Sequence, residues 1–217
     1  MPNSTLTPPP PERHAPAGHA FIRKAALTIA LAAALRLAWL LVVPVEPMSD
    51  STRYDDFARR IATGLGYSNA AGPTAYWPVG PSAMIAAVYA LFGSDGPQRF
   101  LPVAVLNLLI GTATVGLTIH LAGRWFGPRT GLLAGLLLAI WPAQIQFTTV
   151  LNSELPMVLA TLAALAIWEA RRGPDMLRGG LAGLALGVAA LMRPTALLLP
   201  GVFIIARLLR GPRRGGA

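Results

Sequence analysis

A continuous apolar run, from about Ala25 to Val43, constrains the fold of this chain more than any other feature. Because a helix rises 1.5 Å per residue, the run is long enough to cross a hydrocarbon core about 30 Å thick. Hydrophobic residues make up 54% of the 217 residues and charged residues 12%, whereas a soluble domain averages about 25% charged residues. The sequence therefore predicts an all-α fold, a polytopic membrane helix bundle.

Further apolar runs follow, and together they predict about six spanning helices. The predicted spans are residues 25–43, 101–122, 130–148, 155–170, 179–192 and 195–209. Trp77–Phe92 is also apolar, but this run is short and begins with Trp77-Pro78 and Gly80-Pro81. We interpret it as a re-entrant or interface-lying helix. The alternative is a seven-span topology, which would put Glu154 across the bilayer from Asp50.

The basic residues predict the orientation of the spans. The net charge is +9, but the cations lie in short runs between apolar segments, so nucleic acid is not expected as a partner. With the N-terminus inside, the six-span order places these cations on the inner side: Arg13, Arg23, Lys24, Arg124, Arg129, Arg171, Arg172, Arg178, Arg207, Arg210, Arg213 and Arg214. Arg53, Arg59, Arg60 and Arg99 fall in the outer loop. The positive-inside rule thus predicts that both termini are cytoplasmic. We expect an integral protein of a bacterial inner (plasma) membrane.

The chain divides into a membrane domain and two tails. Residues 1–20 include four consecutive prolines, Pro8–Pro11, and are predicted to be disordered. Residues 21–210 form the membrane domain, with an external loop at 45–98, and residues 211–217 form a cytoplasmic tail. The first apolar run is longer than the core of a secretory signal, so we expect an uncleaved anchor. Cysteine is absent, which excludes disulfides and thiol chemistry.

The external loop contains a predicted amphipathic helix on the membrane surface. Apolar residues recur at helical spacing, at Tyr54, Phe57, Ile61 and Leu65. Charged residues fall on the other faces, at Asp55, Asp56, Arg59 and Arg60, and the two carboxylates are expected to point toward water. Asp50 lies at the start of this helix, where the helix dipole favours a charged carboxylate. Asp50 is therefore either a helix cap or a functional base.

Two more ionisable residues are expected near Asp50. In the six-span order Glu154 and Arg193 fall at the same membrane face as Asp50. Charges at a membrane face are expensive unless they meet each other or a polar ligand, so we expect a shared pocket. Arg36 lies inside the first span and must either extend to the interface or face the protein interior. The alternatives are that Arg36 and Arg193 are interface anchors and that Glu154 caps its helix.

A series of short motifs resembles the membrane glycosyltransferases of the GT-C fold. In chain order the motifs are Asp50-Ser51-Thr52-Arg53-Tyr54, Gly64-Leu65-Gly66-Tyr67, Pro73-Thr74-Ala75-Tyr76-Trp77-Pro78-Val79-Gly80, Leu91-Phe92-Gly93, Arg124-Trp125-Phe126-Gly127-Pro128-Arg129, Trp141-Pro142, Ser153-Glu154 and Arg193-Pro194. The likeness is to the protein mannosyltransferases and the lipid A aminoarabinose transferase. It extends over about Arg23–Leu209.

The resemblance implies an enzyme that moves a sugar from a polyprenyl-phosphate carrier to an acceptor at the outer membrane face. Asp50 matches the acidic residue proposed as base in such enzymes, and Glu154 matches a second acidic residue that orients or tunes the site. Arginines suit a phosphate leaving group, and the candidates are Arg193, Arg36, Arg59 and Arg60. Tyr54 and Trp77 are candidates for the substrate groove, although aromatic residues at an interface are commonly anchors.

The chain also departs from the family pattern. Many members carry a second acidic residue directly after the first, where this chain has Ser51, so we expect no metal and no cofactor. Such enzymes usually continue through further spans. The first hypothesis is therefore a lipid-linked sugar transferase that is either whole or truncated. Two other hypotheses are a small transporter or flippase for polyprenyl-linked sugars and a noncatalytic subunit that binds a membrane protein partner through the small residues of Gly179–Gly187. The sugar and the acceptor are not predicted.

Overall fold

The computed structural model of the chain describes residues 17–170 and 174–209. The helices are α1 (Ala17–Val42), α2 (Asp50–Ala62), α3 (Val79–Phe92), α4 (Phe100–Phe126), α5 (Pro128–Ile140), α6 (Pro142–Gln146), α7 (Glu154–Glu169), α8 (Asp175–Met192) and α9 (Leu199–Leu209). Short 3₁₀ turns occupy Pro97–Arg99, Phe147–Thr149 and Pro194–Leu198. Two antiparallel two-residue strands, β1 (Ser68–Asn69) and β2 (Gly72–Pro73), pair Ser68 with Pro73. The predicted all-α bundle is confirmed for the described residues, apart from this small hairpin.

Three helices are long and apolar enough to cross a membrane: Gly18–Val42, Pro97–Phe126 and Asp175–Met192. A fourth span is added if Pro128–Ile140 and Pro142–Thr149 are counted together, although they are bent by 59°. The bend lies at Pro142, which lacks the backbone N–H that would continue the helix. Length and composition therefore support three or four spans among the described residues. The predicted number of six is not confirmed.

The ends of the helices show which parts of the chain lie together. Near the start of α1, the Phe21 ring lies 3.9 Å from the position that a Cβ on Gly123 of α4 would occupy. Toward the end of α1, the Trp39 indole donates to Thr149 Oγ1 at 3.0 Å. Near the start of α4, Asn107 Nδ2 donates to the carbonyl oxygen of Val150 at 2.9 Å. Helices α1 and α4 are thus antiparallel, and we call the end that contains Trp39 and Val150 the site end.

Helix α3 begins and ends at the site end. Near its start, a Cβ on Gly80 would lie 2.5 Å from the carbonyl oxygen of Leu191, at the end of α8. Near its end, the Tyr89 hydroxyl donates to Asp55 Oδ1 of α2 at 2.6 Å. A helix with both ends at one end of the bundle does not cross it. The contacts therefore agree with the interface-lying interpretation of this segment, and α2 and α3 lie side by side across the site end.

Several sequence-based expectations about helix boundaries and faces need correction. Helix α1 begins at Ala17, so the last residues of the predicted disordered tail are helical, while residues 1–16 and 210–217 lie outside the described residues. Asp55 was expected to face water, but it is 6% exposed because Arg99 and Tyr89 bind its carboxylate. Leu65 was expected on the apolar face of the amphipathic helix, but it lies beyond the end of α2.

The glycines of α8 do not serve close packing within the described part of the chain. A Cβ added at Gly179, Gly180, Gly183 or Gly187 would meet no heavy atom within 4 Å. By contrast, a Cβ on Gly131 of α5 would lie 2.6 Å from the backbone of α4. Gly131 therefore permits a close backbone approach between α4 and α5.

Candidate active site

A cavity of about 560 Å³ opens at the site end of the bundle. It collects residues from the start of α2, the segment before α3, the segment before α7 and the segment after α8. The sequence-predicted residues that line it are Asp50, Tyr54, Trp77, Glu154 and Arg193. The structure therefore brings together the three ionisable residues that were expected to share a pocket.

Asp50 is the first residue of α2, and its side chain is exposed at the cavity. The helix starts there because Ser49 leaves helical geometry, with φ 51° and ψ −121°. Ser49 Oγ donates a long hydrogen bond of 3.4 Å to Asp50 Oδ1. No basic side chain pairs with Asp50 among the described residues, so the first turn of α2 supplies the local stabilisation of its charge. The Asp50 carboxyl thus has free acceptor capacity at the cavity.

Glu154 and Arg193 form an ion pair in the wall of the cavity. Arg193 Nη1 donates to Glu154 Oε1, and the two side chains are 43% and 36% exposed. Glu154 Oε2 accepts hydrogen bonds from the backbone N–H and the hydroxyl of Ser153, at 3.0 and 3.2 Å. Asn152 Oδ1 accepts from the backbone N–H of Leu155 at 2.9 Å, so it satisfies a donor in the first turn of α7. Glu154 Oε1 is therefore available to orient Arg193.

Tyr54 lies between the charged residues of the cavity. Burial raises the pKa of its phenol above the usual value, and the carboxylates of Asp50 and Glu154 add to this rise. A hydrogen bond with Ser153 and the charge of Arg193 lower this pKa, but they do not cancel the effect of burial. The Tyr54 hydroxyl is therefore neutral at physiological pH and can donate a hydrogen bond into the cavity.

Trp77 completes the aromatic wall of the cavity. Its ring meets the Tyr54 ring edge to face, with centroids 6.2 Å apart. The Tyr67 hydroxyl donates to the Trp77 carbonyl oxygen at 2.8 Å, which fixes the backbone before α3. The close approach of Gly80 to Leu191 then holds this segment against the end of α8, directly before Arg193. Any side chain at position 80 would push these two walls of the cavity apart.

The surroundings of Ser51 are unfavourable for a second acidic side chain directly after Asp50. It is 6% exposed, and its hydroxyl donates to the carbonyl oxygen of Leu151 at 2.9 Å. A carboxylate at this position would be buried against a carbonyl oxygen, which is a strongly unfavourable arrangement. Among the described residues, no group of three or more His, Asp or Glu side chains is placed to hold a metal ion.

The other predicted phosphate-binding residues do not line this cavity. Arg59 and Arg60 lie on the far part of α2 and border a separate cavity. Arg36 is fully buried in α1, where Nη1 donates to the Ala32 carbonyl oxygen at 3.0 Å. Its Nε would lie 2.6 Å from a Cβ on Gly111, so a glycine in α4 makes room for the guanidinium. Of the four arginines proposed from the sequence, Arg193 alone borders the cavity with Asp50.

Several residues of the site escaped the sequence reasoning. Ser51, Ser153 and Thr195 line the cavity and flank the charged residues. Ser51 and Ser153 belong to quoted motifs and Thr195 follows one, but none was predicted as a site residue because small hydroxyl side chains are too common to signal a site on their own. Adjacency to Asp50, Glu154 and Arg193 is the signal that could have found them.

The sequence was compared with models of known protein families, and one family matches. A family model described as dolichyl-phosphate-mannose-protein mannosyltransferase matches residues 77–215, more than half of the chain. The chain belongs to this family. Membership in the dolichyl-phosphate-mannose-protein mannosyltransferase family makes it a membrane glycosyltransferase of the GT-C type. Trp77, Glu154 and Arg193 lie inside the matched segment, and Asp50 precedes it. No curated protein and no solved structure matches the chain significantly.

Proposed function

We propose that this protein transfers a sugar from a polyprenyl-phosphate carrier to a hydroxyl group of an acceptor at the outer face of the membrane. The observation that carries the proposal is the meeting of Asp50, Glu154 and Arg193 around one cavity at the site end. Membership in the mannosyltransferase family supports a polyprenyl-phosphate donor and a membrane-associated acceptor. In the bilayer we propose the six-span arrangement, in a bacterial inner membrane, with the cavity outside.

Asp50 acts as the general base in this proposal. Its carboxylate takes the proton from the acceptor hydroxyl while the hydroxyl oxygen forms a bond to the anomeric carbon. The bond between that carbon and the carrier phosphate oxygen breaks, and its electron pair leaves with the lipid phosphate. A single displacement of this kind inverts the anomeric centre. Asp50 suits the role because it is exposed to the cavity and has no cationic partner among the described residues.

Arg193 receives the phosphate. One guanidinium nitrogen, Nη1, is bound to Glu154, while Nε and Nη2 form no hydrogen bond within the described chain. Two guanidinium nitrogens can bind two phosphate oxygens at once, and the charge is permanent. Glu154 is a positioning residue, which holds the guanidinium by one nitrogen and leaves the others for the donor. Trp77 and Tyr54 border the sugar.

The test is sugar transfer from a labelled polyprenyl-phosphate donor in membranes. Asp50→Asn keeps the shape of the side chain and removes its basicity, so we expect transfer to fall roughly 100- to 10,000-fold. Asp56→Asn is the matched control, because Asp56 lies on the same helix and borders the other cavity, and transfer should be nearly unchanged. Equal transfer by wild type and Asp50→Asn would reject Asp50 as the base. Transfer by neither protein would favour a noncatalytic subunit or a truncated transferase.

A further inference from the structure

A second cavity, of about 400 Å³, lies on α2 away from Asp50. Its lining includes Arg53, Asp56, Arg59 and Arg60, so three guanidinium groups and one carboxylate surround it. We call it the arginine groove. The proposed transfer reaction uses none of these residues, and the groove has its own walls and its own charge.

The arginines of the groove are poorly neutralised by the protein itself. Arg53 forms no hydrogen bond or ion pair among the described residues. Arg59 has one ion pair, with Asp95 at 3.9 Å, and Asp95 is 93% exposed. Arg60 binds only a neutral group, the Ser68 hydroxyl, through Nε at 3.2 Å and Nη2 at 3.1 Å. The groove therefore has unused donors and an excess of positive charge.

The loop after α2 holds the groove in shape. Gly64 and Gly66 have φ of +80° and +69°, a backbone conformation that glycine adopts without strain, and they turn the chain back along the helix. Ser68 Oγ donates to the Leu65 carbonyl oxygen at 3.0 Å while it accepts from Arg60. The centroids of the Phe57 and Tyr67 rings lie 4.6 Å apart, so this loop packs against α2. Arg60 is thus held in position before any ligand arrives.

We propose that the arginine groove binds the phosphate of an anionic phospholipid headgroup and so anchors α2 to the membrane surface. A guanidinium binds phosphate oxygens with charge-assisted hydrogen bonds. The exposed Leu65 side chain borders the same groove, and an apolar residue beside arginines fits the boundary between headgroup and acyl chain. Helix α2 lies across the site end of helices that are long enough to span a bilayer. In the proposed six-span arrangement that end is at the level of the headgroups. The proposal does not rest on the transfer reaction.

The test is calorimetric titration of the purified full chain in detergent with dihexanoyl phosphatidylglycerol, an anionic short-chain lipid. Dihexanoyl phosphatidylcholine and inorganic phosphate are the comparison ligands. We expect the anionic lipid to bind more tightly than the zwitterionic one and the affinity to fall as salt is added. The double variant Arg53→Gln/Arg60→Gln should weaken binding about tenfold or more.

Two further variants keep the test decisive. Asp56→Asn removes the one carboxylate of the groove, so it should tighten binding a few-fold, a gain that misfolding cannot produce. Arg129→Gln, an exposed arginine at the start of α5, should bind like wild type. Equal binding of both lipids, or unchanged binding by the double variant, would reject the groove as a site. Inorganic phosphate binding as tightly as the anionic lipid would reject the lipid assignment.

Discussion

The ion pair of Glu154 and Arg193 contributes little to the stability of the fold. Both side chains are more than a third exposed, and ion pairs of this kind stabilise a fold by less than about 1 kcal/mol. A pair that adds little stability but sits in the wall of a cavity beside Asp50 is better explained by ligand binding. A structural role and a ligand-binding role predict different effects of substitution, and variants of Arg193 can separate them.

Substitution of Arg193 should separate activity from stability. We expect Arg193→Gln to lower kcat/KM for the donor roughly tenfold to hundredfold, because a charge-assisted bond to phosphate is lost. The melting temperature should change by no more than about 4 °C. Arg193→Lys should lie between, since lysine keeps the charge but loses the planar fork. A loss of stability of several kcal/mol in parallel with activity would make the pair structural.

The same residues show how far the sequence predicts the site. Asp50, Glu154 and Arg193 could be found because each is an ionisable residue at the end of an apolar run, where a charge needs an explanation. Arg36, inside an apolar run, needs an explanation just as much, but the glycine that makes room for it lies 75 residues later on α4. Which charges face a cavity and which face a neighbouring helix depends on packing between distant segments. That packing is not encoded in local spacing.

The ion pair of Asp55 and Arg99 holds helix α2 in place. It lies on the helix face that was expected to point toward water. Arg99 binds Asp55 through two nitrogens, Nε at 3.1 Å and Nη2 at 2.7 Å, and Tyr89 adds a third hydrogen bond at 2.6 Å. The side chains of Arg99 and Asp55 are 15% and 8% exposed. Because α2 carries both Asp50 and Tyr54, this cluster positions one wall of the cavity.

Removal of Asp55 should therefore be far more costly than removal of a surface carboxylate. Asp55→Asn leaves Arg99 buried without a charged partner and is expected to destabilise the chain by about 3–5 kcal/mol. Asp95→Asn breaks the exposed pair with Arg59 and should change stability by less than about 1 kcal/mol. Thermal unfolding of both variants in the same detergent gives the comparison. Similar melting temperatures for the two variants would show that the buried cluster does not hold α2.

Trypsin offers a local measurement of the same effect. Its sites on α2 include Arg53, Arg59 and Arg60, and cleavage there requires the helix to open. Asp55→Asn should speed cleavage at these arginines more than at Arg129, on α5. An equal increase at every site would indicate global unfolding alone, without separate release of α2.

At the level of elements, the apolar runs predicted most helices, and the errors have identifiable causes. The run 130–148 was interpreted as one span, but Pro142 bends it by 59°. The spacing of Tyr54, Phe57 and Ile61 predicted α2, yet Gly64 and Gly66 end the periodic pattern before Leu65 can join it. Asp55 was assigned to water because helical periodicity reports one apolar face and cannot reveal a distant arginine that buries a carboxylate.

For the whole molecule, the position of α3 bears on whether this segment crosses the membrane. Both ends of α3 lie at the site end, and Glu154 shares a cavity with Asp50. A seven-span chain would need α3 to cross the bilayer and would separate these two carboxylates. The packing therefore favours a topology in which the whole segment between α1 and α4 stays on one side of the membrane.

This topology can be tested directly because the chain contains no cysteine. Single cysteines would be introduced as Ala70→Cys in the loop after α2, Asp95→Cys after α3 and Arg129→Cys at the start of α5. With the site end outside, a membrane-impermeant maleimide should label positions 70 and 95 in intact cells and position 129 only after lysis. If α3 crosses the membrane, labelling of positions 95 and 129 is exchanged while position 70 stays accessible. Position 70 thus serves as the internal control, and the exchange at the other two would overturn both the interface-lying α3 and the cavity that it helps to build.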